Sequence, residues 1–301
     1  MTPPELNWND VKFFLAVARA ANLTRAARSL KVSQPTVGRR LKVLESSLAT
    51  RLFDRRTGEL SLTPAGRKLL PLAERMEAES FDLARAVVEQ SAAEDEPLRV
   101  TAIGSVALFL TNHFLEIRAQ DETLEVEIIS TGERLSLARN EADIALRMGR
   151  IPRSGNLVTR RIGRVAFSLY ASRGYIKRSR LRTEDDIRTA DFVGFKKNPK
   201  RPSQSRWLYD YGRAGRFPLR VNELHLRYDA ALQGLGVTLL PCHLADRSRD
   251  LRRLIPPPPD LVEDVYLLIH ADMRNVPRVK AGAGILAGLF KTYRDELMGA
   301  G

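Results

Sequence analysis

The sequence predicts an α plus α/β fold: an amino-terminal winged helix-turn-helix, a long linker helix and a carboxyl-terminal α/β half. Three observations point there. Three helical apolar repeats fall within the first fifty residues and lead into a basic turn. One apolar seam then runs from Pro64 to about Ala92. From Leu98 onward, short apolar strands alternate with helical stretches, a texture that implies an open sheet covered by helices.

Val11, Phe14, Leu15 and Ala18 share one face of the first helix. Leu23, Ala26, Ala27 and Leu30 do so on the second, and Val37, Leu41, Leu44 and Leu48 on the third, the spacing of a 3.6-residue period. Asn22 and Ser33 stand where a side-chain oxygen can accept from an orphan backbone N–H, so each is expected to cap the helix that follows. Pro35 falls in the first turn of the third helix, where its missing donor costs little. The Lys31-Val32 connection is too short for the second and third helices to run side by side, so they must cross.

Opposite Val37, Leu41 and Leu44, the third helix carries Pro35, Gly38, Arg39 and Lys42, with Gln34 and Thr36 at its start. A DNA groove requires these side-chain types. Glutamine can bond an adenine edge through two contacts, Pro and Thr can touch a thymine methyl, and Arg or Lys can pair with guanine or phosphate. Gly38 costs about 1 kcal/mol against alanine inside a helix. It serves either as a gap that lets the backbone approach DNA or as an exposed position under little constraint.

The run NLTRAARSLKVSQPTVGRRLKVLESSLATRLFDRR, followed by LSLTPAGRKLL, resembles the amino-terminal domain of LysR-type transcriptional regulators. The matching features are Ala26-Ala27, Val32-Ser33-Gln34-Pro35, Leu44-Glu45, Arg51-Leu52-Phe53 and Thr63-Pro64-Ala65-Gly66. The resemblance covers about the first ninety residues. It implies contacts to double-stranded DNA, at an interrupted palindromic operator, from Thr24, Arg25, Ser33, Gln34, Pro35, Thr36, Gly38, Arg39, Lys42, Arg55 and Arg56. Arg25, Arg39, Arg55 and Arg56 would set register on phosphates while Gln34, Pro35 and Thr36 read bases. The family usually has Ser where this chain has Gly38, which removes one side-chain contact.

Beyond the basic wing around Arg55, Arg56 and Gly58, the seam of the linker helix is Leu69, Leu72, Met76, Leu83 and Val87, interrupted by Ser80. Such a stripe must be buried, against the winged domain or a second copy of the helix. The resemblance favours a homodimer, or a tetramer built from dimers, whose symmetry matches a palindrome. Pro71 removes one donor inside this helix, so a local bend is expected. The domains expected are 1–63 (winged helix-turn-helix), 64–93 (linker and dimerisation helix), 94–97 (hinge) and 98–298 (effector-binding domain).

In the last of these, LRVTAI, LEVEII, DIALRM, AFSLYAS, DFVGF, VTLLP and VYLLIH read as strands, and 106–119, 133–140, 223–234 and 275–297 as helices. In open α/β sheets, ligands bind beyond the carboxyl ends of strands. The resemblance sharpens this to two lobes like those of type 2 periplasmic binding proteins, 98–165 with 269–298 and 166–268, with crossings near Gly163–Ala166 and Leu267–His270. A small-molecule effector would sit in the cleft. Ser105 and Thr131-Gly132 follow strands, where a hydroxyl and backbone N–H groups could hold an anion. Arg147 could pair with a carboxylate or bridge the lobes, and Phe195 and Asn222 are the counterparts from the second lobe. Ser105 and Thr131 would equally serve as ordinary helix caps. Ser105 and Arg147 together suggest an anionic effector.

The 301 residues carry 49 Lys+Arg against 36 Asp+Glu, a net charge of +13, which favours a polyanionic partner. Residues 1–68 hold a surplus of eight positive charges and residues 97–301 a surplus of eleven, so charge is densest at the amino terminus but not confined there. The single Cys242 excludes an intramolecular disulfide, and its setting at a strand end suggests a buried structural thiol. MTPPELNWND has neither the basic nor the apolar region of a signal peptide, and no apolar run reaches the ~18 residues of a membrane span. A cytoplasmic, nucleoid-associated bacterial protein with no membrane partner is expected, with RNA polymerase as a further partner.

His113, His225, His243 and His270 lack paired-ligand spacing, so no metal is expected, and no cofactor motif or catalytic residue is found. Lys196–Arg201 reads as a solvated basic loop, Pro256–Pro259 as an extended surface segment, and Thr183-x-x-Asp186 as a capping box. Two rival functions share the α/β half. A solute-binding transport protein would need a signal peptide and no residues 1–93, and an enzyme would need a reactive constellation.

Overall fold

Two compact units, Met1–Ala92 and Ala93–Gly301, divide the chain. The computed structural model describes residues 6–54, 60–88, 96–131, 137, 142–149, 151, 156–196 and 203–300, with the side chains of 78, 81–88 and 203 outside the description.

The first unit contains α1 (Trp8–Ala20), α2 (Leu23–Ser29), α3 (Gln34–Ser47), β1 (Phe53–Asp54), β2 (Ser61–Leu62) and α4 (Pro64–Val88). Each of the first three helices starts on a side-chain cap. Asn7 accepts from Asn9 N, Asn22 from Thr24 N and Arg25 N, and Ser33 from Thr36 N, an arrangement typically worth about 1 kcal/mol per helix. The α2–α3 turn is closed by Val32 N donating to Ala27 O at 3.0 Å, with Lys31 at a φ of 53°. The helices therefore cross, and Val11, Phe14, Leu15, Val17, Ala26, Ala27, Val37, Leu41, Leu44, Leu52 and Phe53 are buried together. Each large side chain in such a core contributes about 1.5–3 kcal/mol.

Phe53 and Asp54 pair antiparallel with Leu62 and Ser61 to form the wing. Its tip, with Arg55, Arg56 and Gly58, lies outside the described residues. Gly66, in the first turn of α4, sits so close to the wing that a Cβ there would lie 2.3 Å from Leu52 O, which only glycine allows. The linker helix runs unbroken through Pro71. Its seam divides. Leu69 and Leu70 pack on the winged core beside the buried Ala73, whereas Leu72 is 51% and Met76 40% exposed. The side chains of Leu83 and Val87 lie outside the described set.

The second unit runs β3 (Leu98–Ala102), α5 (Gly104–Asn112), α6 (Phe114–Gln120), β4 (Val126–Ser130), β5 (Ile144–Met148), β6 (Leu157–Ser172), α7 (Arg173–Ser179), α8 (Glu184–Arg188), β7 (Asp191–Phe195) and α9 (Ser203–Tyr211). It continues with β8 (Arg216–Val221), α10 (Leu224–Leu232), β9 (Thr238–Pro241), α11 (Cys242–Ala245), β10 (Leu251–Arg253), β11 (Val262–His270), α12 (Pro277–Thr292) and α13 (Arg294–Met298). β3 lies between β4 and β5, parallel to both. β11 then runs antiparallel to β5 and to residues 157–166 of β6. The second half of β6 pairs with β9 on residues 167–170 and β10 on residues 170–172. β7 and β8 form a parallel pair, and an isolated bridge joins Phe192 of β7 to Val237, the residue before β9. β6 is thus the spine shared by two lobes.

The second crossing differs from expectation. β11 pairs with β6 from Val262 to His270, so Leu267–His270 lies inside one ladder and the change of lobe falls at Val262. Residues 157–165 extend β6 well before the expected Ala166. Positions 158–161 are all exposed, so this edge segment carries no alternation to read. β8 was equally hidden, because Pro218 stands in an edge strand. The expected helix 106–119 breaks at His113, and 275–297 breaks at Tyr293. The helix expected at 133–140 falls almost wholly outside the described residues. Thr183 and Asp186 form the capping box. Cys242 is buried at the start of α11, and burial pushes its thiol pKa up.

Candidate nucleic-acid interface and ligand cleft

α3 presents two faces. Val37, Leu41 and Leu44 are buried, while Gln34, Pro35, Arg39 and Lys42 are exposed and Thr36 and Gly38 half-buried. Ser33, Thr24 and Arg25 are exposed beside its amino-terminal end. A Cβ built on Gly38 would meet nothing within 4 Å, so packing inside the protein does not require glycine there. The sequence-predicted readers therefore lie on one accessible surface, apart from the wing arginines, which fall outside the described residues.

Two contacts that periodicity does not reveal hold this surface in place. Thr24 Oγ1 donates to Gln34 Oε1 at 3.3 Å, joining α2 to the first residue of α3. Glu45 Oε1 accepts from Leu52 N at 2.7 Å and Phe53 N at 3.3 Å, joining α3 to the wing. Ser33 Oγ and Thr36 Oγ1 share a further hydrogen bond of 2.8 Å.

In the second unit, the two lobes approach at the first turns of α5 and α10. A Cβ on Gly104 would lie 3.8 Å from Leu224 Cβ and 4.0 Å from Ser130 Oγ. Ser105 is 5% exposed, and its hydroxyl donates to Met148 Sδ at 3.6 Å, a weak acceptor. Thr131 N donates to Ala102 O at 2.9 Å, which sets it beside the end of β3; Gly132 lies outside the described residues. Asn222 is exposed, and its Nδ2 donates to Glu223 Oε1 at 2.8 Å. Phe195, 4% exposed, ends β7.

Arg147 stands apart from this group. Its Nη1 donates to Thr101 O and Leu146 O, both at 3.1 Å, and its Nη2 to Thr101 Oγ1 at 3.2 Å. These bonds strap β5 to β3. Successive strand residues point to opposite faces, so Arg147 leaves the sheet on the side away from Met148, the partner of Ser105.

A second cation near the strand ends is Arg227, which sequence reading passed over. It is 6% exposed, its Nη1 donates to Asn222 O at 3.1 Å, and its guanidinium lies 4.1 Å from the centroid of the Phe195 ring, within cation–π range. Its signal was available. Leu224, Arg227 and Ala231 share the buried face of α10, and an arginine on an apolar stripe calls for an explanation.

No group of three or more His, Cys, Asp or Glu suited to a metal occurs among the described residues. No described helix is long and apolar enough to cross a membrane.

Comparisons with known proteins agree with this architecture. The family model of the bacterial regulatory helix-turn-helix protein, lysR family, matches residues 8–67, and that of the LysR substrate binding domain matches residues 91–290. The chain is 34% identical over 173 residues to the Mau operon transcriptional activator of Paracoccus denitrificans, covering 56% of this chain and 59% of that protein. The chain therefore spans less than two thirds of that relative's length. The crystal structure of VV2_1132, a LysR family transcriptional regulator, shares the fold at a TM-score of 0.54 and 16% identity, covering 95% of this chain and 100% of the other. The full-length Vibrio cholerae virulence activator AphB does so at 0.52 and 19%, covering 94% and 99%. With both family models matched in order along one polypeptide, the chain belongs to the lysR family of bacterial regulatory proteins.

Proposed function

We propose that the protein is a sequence-specific DNA-binding transcriptional regulator whose operator binding or bending responds to a small molecule in the cleft of its second unit. The observation that carries this reading is the exposed face of α3. Gln34, Pro35, Arg39 and Lys42 stand in solvent on a helix whose other side is fully buried, with Thr24, Arg25, Ser33, Thr36 and Gly38 around them. Phosphate contacts from Arg25, Arg39 and the wing arginines Arg55 and Arg56 set register, and Gln34, Pro35 and Thr36 read bases. Membership of the family supports the same reading, and no turnover is assigned.

Two copies join through residues 64–93, where Leu72 and Met76 stand exposed, and dimers pair into tetramers. Paired α3 helices then suit an interrupted palindrome. The protein works in the bacterial cytoplasm on the nucleoid, and RNA polymerase is the partner through which it acts on transcription. Ser105, Thr131, Gly132, Phe195 and Asn222 line the effector cleft. Arg147, at the end of β5, is a further contact for the effector, and the positive charge of Arg147 and of Arg227 favours one with an anionic group. An effector shifts the balance between lobe arrangements only by its difference in affinity for them.

The test is sequencing of genomic fragments retained by the purified protein at physiological salt, for wild type and for Gln34→Ala combined with Arg39→Ala. A shared interrupted palindrome, lost in the double variant, is the expected result. Retention without a common sequence, equally salt-sensitive in both proteins, would mean that charge alone holds DNA and would end this reading.

A further inference from the structure

The pairing of Thr24 with Gln34 has a consequence for what α3 can read, and it rests on the DNA-reading role proposed above. Gln34 is the first residue of α3 and is exposed. Among the described residues its amide has one hydrogen-bond partner, the Thr24 hydroxyl at 3.3 Å. Beside the pair lies a hollow of about 250 Å³, lined by Ala21, Asn22, Leu23, Arg25 and Leu60 as well. Packing therefore leaves the amide room to turn.

The amide is chemically two-ended. Its oxygen accepts and its nitrogen donates, and each base edge in the major groove presents its own order of donors and acceptors. The terminal torsion of glutamine is broad and roughly two-fold, so an unrestrained Gln34 offers both orders to DNA. A hydroxyl can donate to the oxygen or accept from the nitrogen, so what Thr24 limits is where the amide lies, and it is well placed to do so. Its backbone N–H is tied to Asn22 Oδ1 at 2.8 Å in the capped first turn of α2, and its branched side chain is stiff at the first torsion.

We infer that Thr24 is a specificity-positioning residue, which tethers the Gln34 amide to α2 so that the groove meets its free end from one place instead of several. The hydroxyl makes no base contact of its own in this role. It fixes where Gln34 stands.

The test is selection from a pool of randomised duplex DNA by the full-length wild type and by Thr24→Val, Thr24→Ser and Gln34→Ala, with thermal melts as a check on folding. Gln34→Ala identifies the operator position that Gln34 reads. At that position Thr24→Val is expected to lower discrimination roughly three- to tenfold, part of what a two-bond base contact supplies. The rest of the motif should stay unchanged, and Thr24→Ser, which keeps the hydroxyl without the branch, should restore most of the preference.

An unaltered preference at that position in Thr24→Val overturns the inference, even if affinity falls for all sequences, because a lost phosphate contact would do that. Discrimination lost evenly at every position overturns it as well, since that reports general damage to the domain. Failure of the underlying reading looks different. Wild type and Gln34→Ala would then select the same duplexes or none, and the inference would fall with it.

Discussion

Glu45 Oε1 accepts hydrogen bonds from Leu52 N at 2.7 Å and from Phe53 N at 3.3 Å. One carboxylate thereby satisfies two backbone donors where the chain leaves α3 and enters the wing. Hydrogen bonds to a charged group contribute about 1.5–3 kcal/mol, and half-buried donors left unmade cost a comparable amount. Glu45→Ala is accordingly expected to destabilise the first unit by about 2 kcal/mol, whereas Glu45→Gln, which keeps an acceptor, should cost less than half of that. The protein's two tryptophans make the measurement simple. Trp8 lies in the first unit and Trp207 in the second, so denaturant unfolding followed by fluorescence in a Trp207→Phe background reports the winged domain alone. Equal stability of Glu45→Ala and wild type would show that the wing is held by its apolar contacts only.

Gly38 separates stability from binding. Open space surrounds a Cβ at this position, so Gly38→Ala meets no clash and should raise the stability of the first unit by about 0.5–1 kcal/mol through helix propensity. The same methyl group would stand between the α3 backbone and a groove wall. The expected outcome is a more stable domain with weaker operator binding, measured by unfolding and by titration of the selected duplex. Stabilisation with unchanged binding would mark Gly38 as an exposed position with no part in DNA approach.

Leu72 and Met76 test the second use of the linker helix. Leu69, Leu70 and Ala73 are spent on the winged core, which leaves Leu72 and Met76 at 51% and 40% exposure as the described part of the seam without an apolar cover. Leu72→Glu with Met76→Glu should leave the fold intact and shift sedimentation from the assembled species toward the monomer. Operator affinity should fall with it, since one α3 helix reads only half a palindrome. Unchanged sedimentation would move the dimer contact away from this part of α4.

How much of this was legible in the sequence depended on whether a residue's environment is set locally. The helices of the first unit follow from spacing and caps, because Val11, Ala26 and Val37 mark faces and Asn22 and Ser33 mark starts. The spine strand was half missed because Thr159, Arg160 and Arg161 are exposed on both sides of an edge, and an edge carries no period-two signal. The bonds of Arg147 to Thr101 were not legible from its place at a strand end. Which face it takes depends on the register of β5 against β3, with Thr101 paired to Ala145, and that register is a long-range fact. Thr24 and Gln34 are ten residues apart on different helices, so their hydrogen bond appears only once α2 and α3 cross.

His243 supplies the last prediction. The ring is 1% exposed, packs edge-on against Phe109 at 5.6 Å, and has no hydrogen bond at either nitrogen among the described residues. The groups around it are His113, whose ring packs at a tilt against Tyr293 at 4.0 Å, and Glu296, which faces His113 at 3.4 Å and Arg247 at 3.4 Å. Burial first, then the charges of His113 and Arg247, pull the pKa of His243 from 6.5 down to about 3. The native protein therefore holds the ring neutral, while the unfolded chain takes up a proton below its own pKa. The contribution of this residue to stability is fully present above pH 6.5 and is lost as pH falls toward 3. At pH 5 the loss relative to neutral pH is about 2 kcal/mol. His243→Leu removes the titration and leaves no buried polar atom behind, so its stability should fall less between pH 7 and pH 5 than that of wild type, by about the same amount. Denaturant midpoints at the two pH values, followed through Trp207 in a Trp8→Phe background, decide the matter. Parallel losses in the two proteins would show that His243 is solvated or paired in solution and that acid acts elsewhere on the second unit.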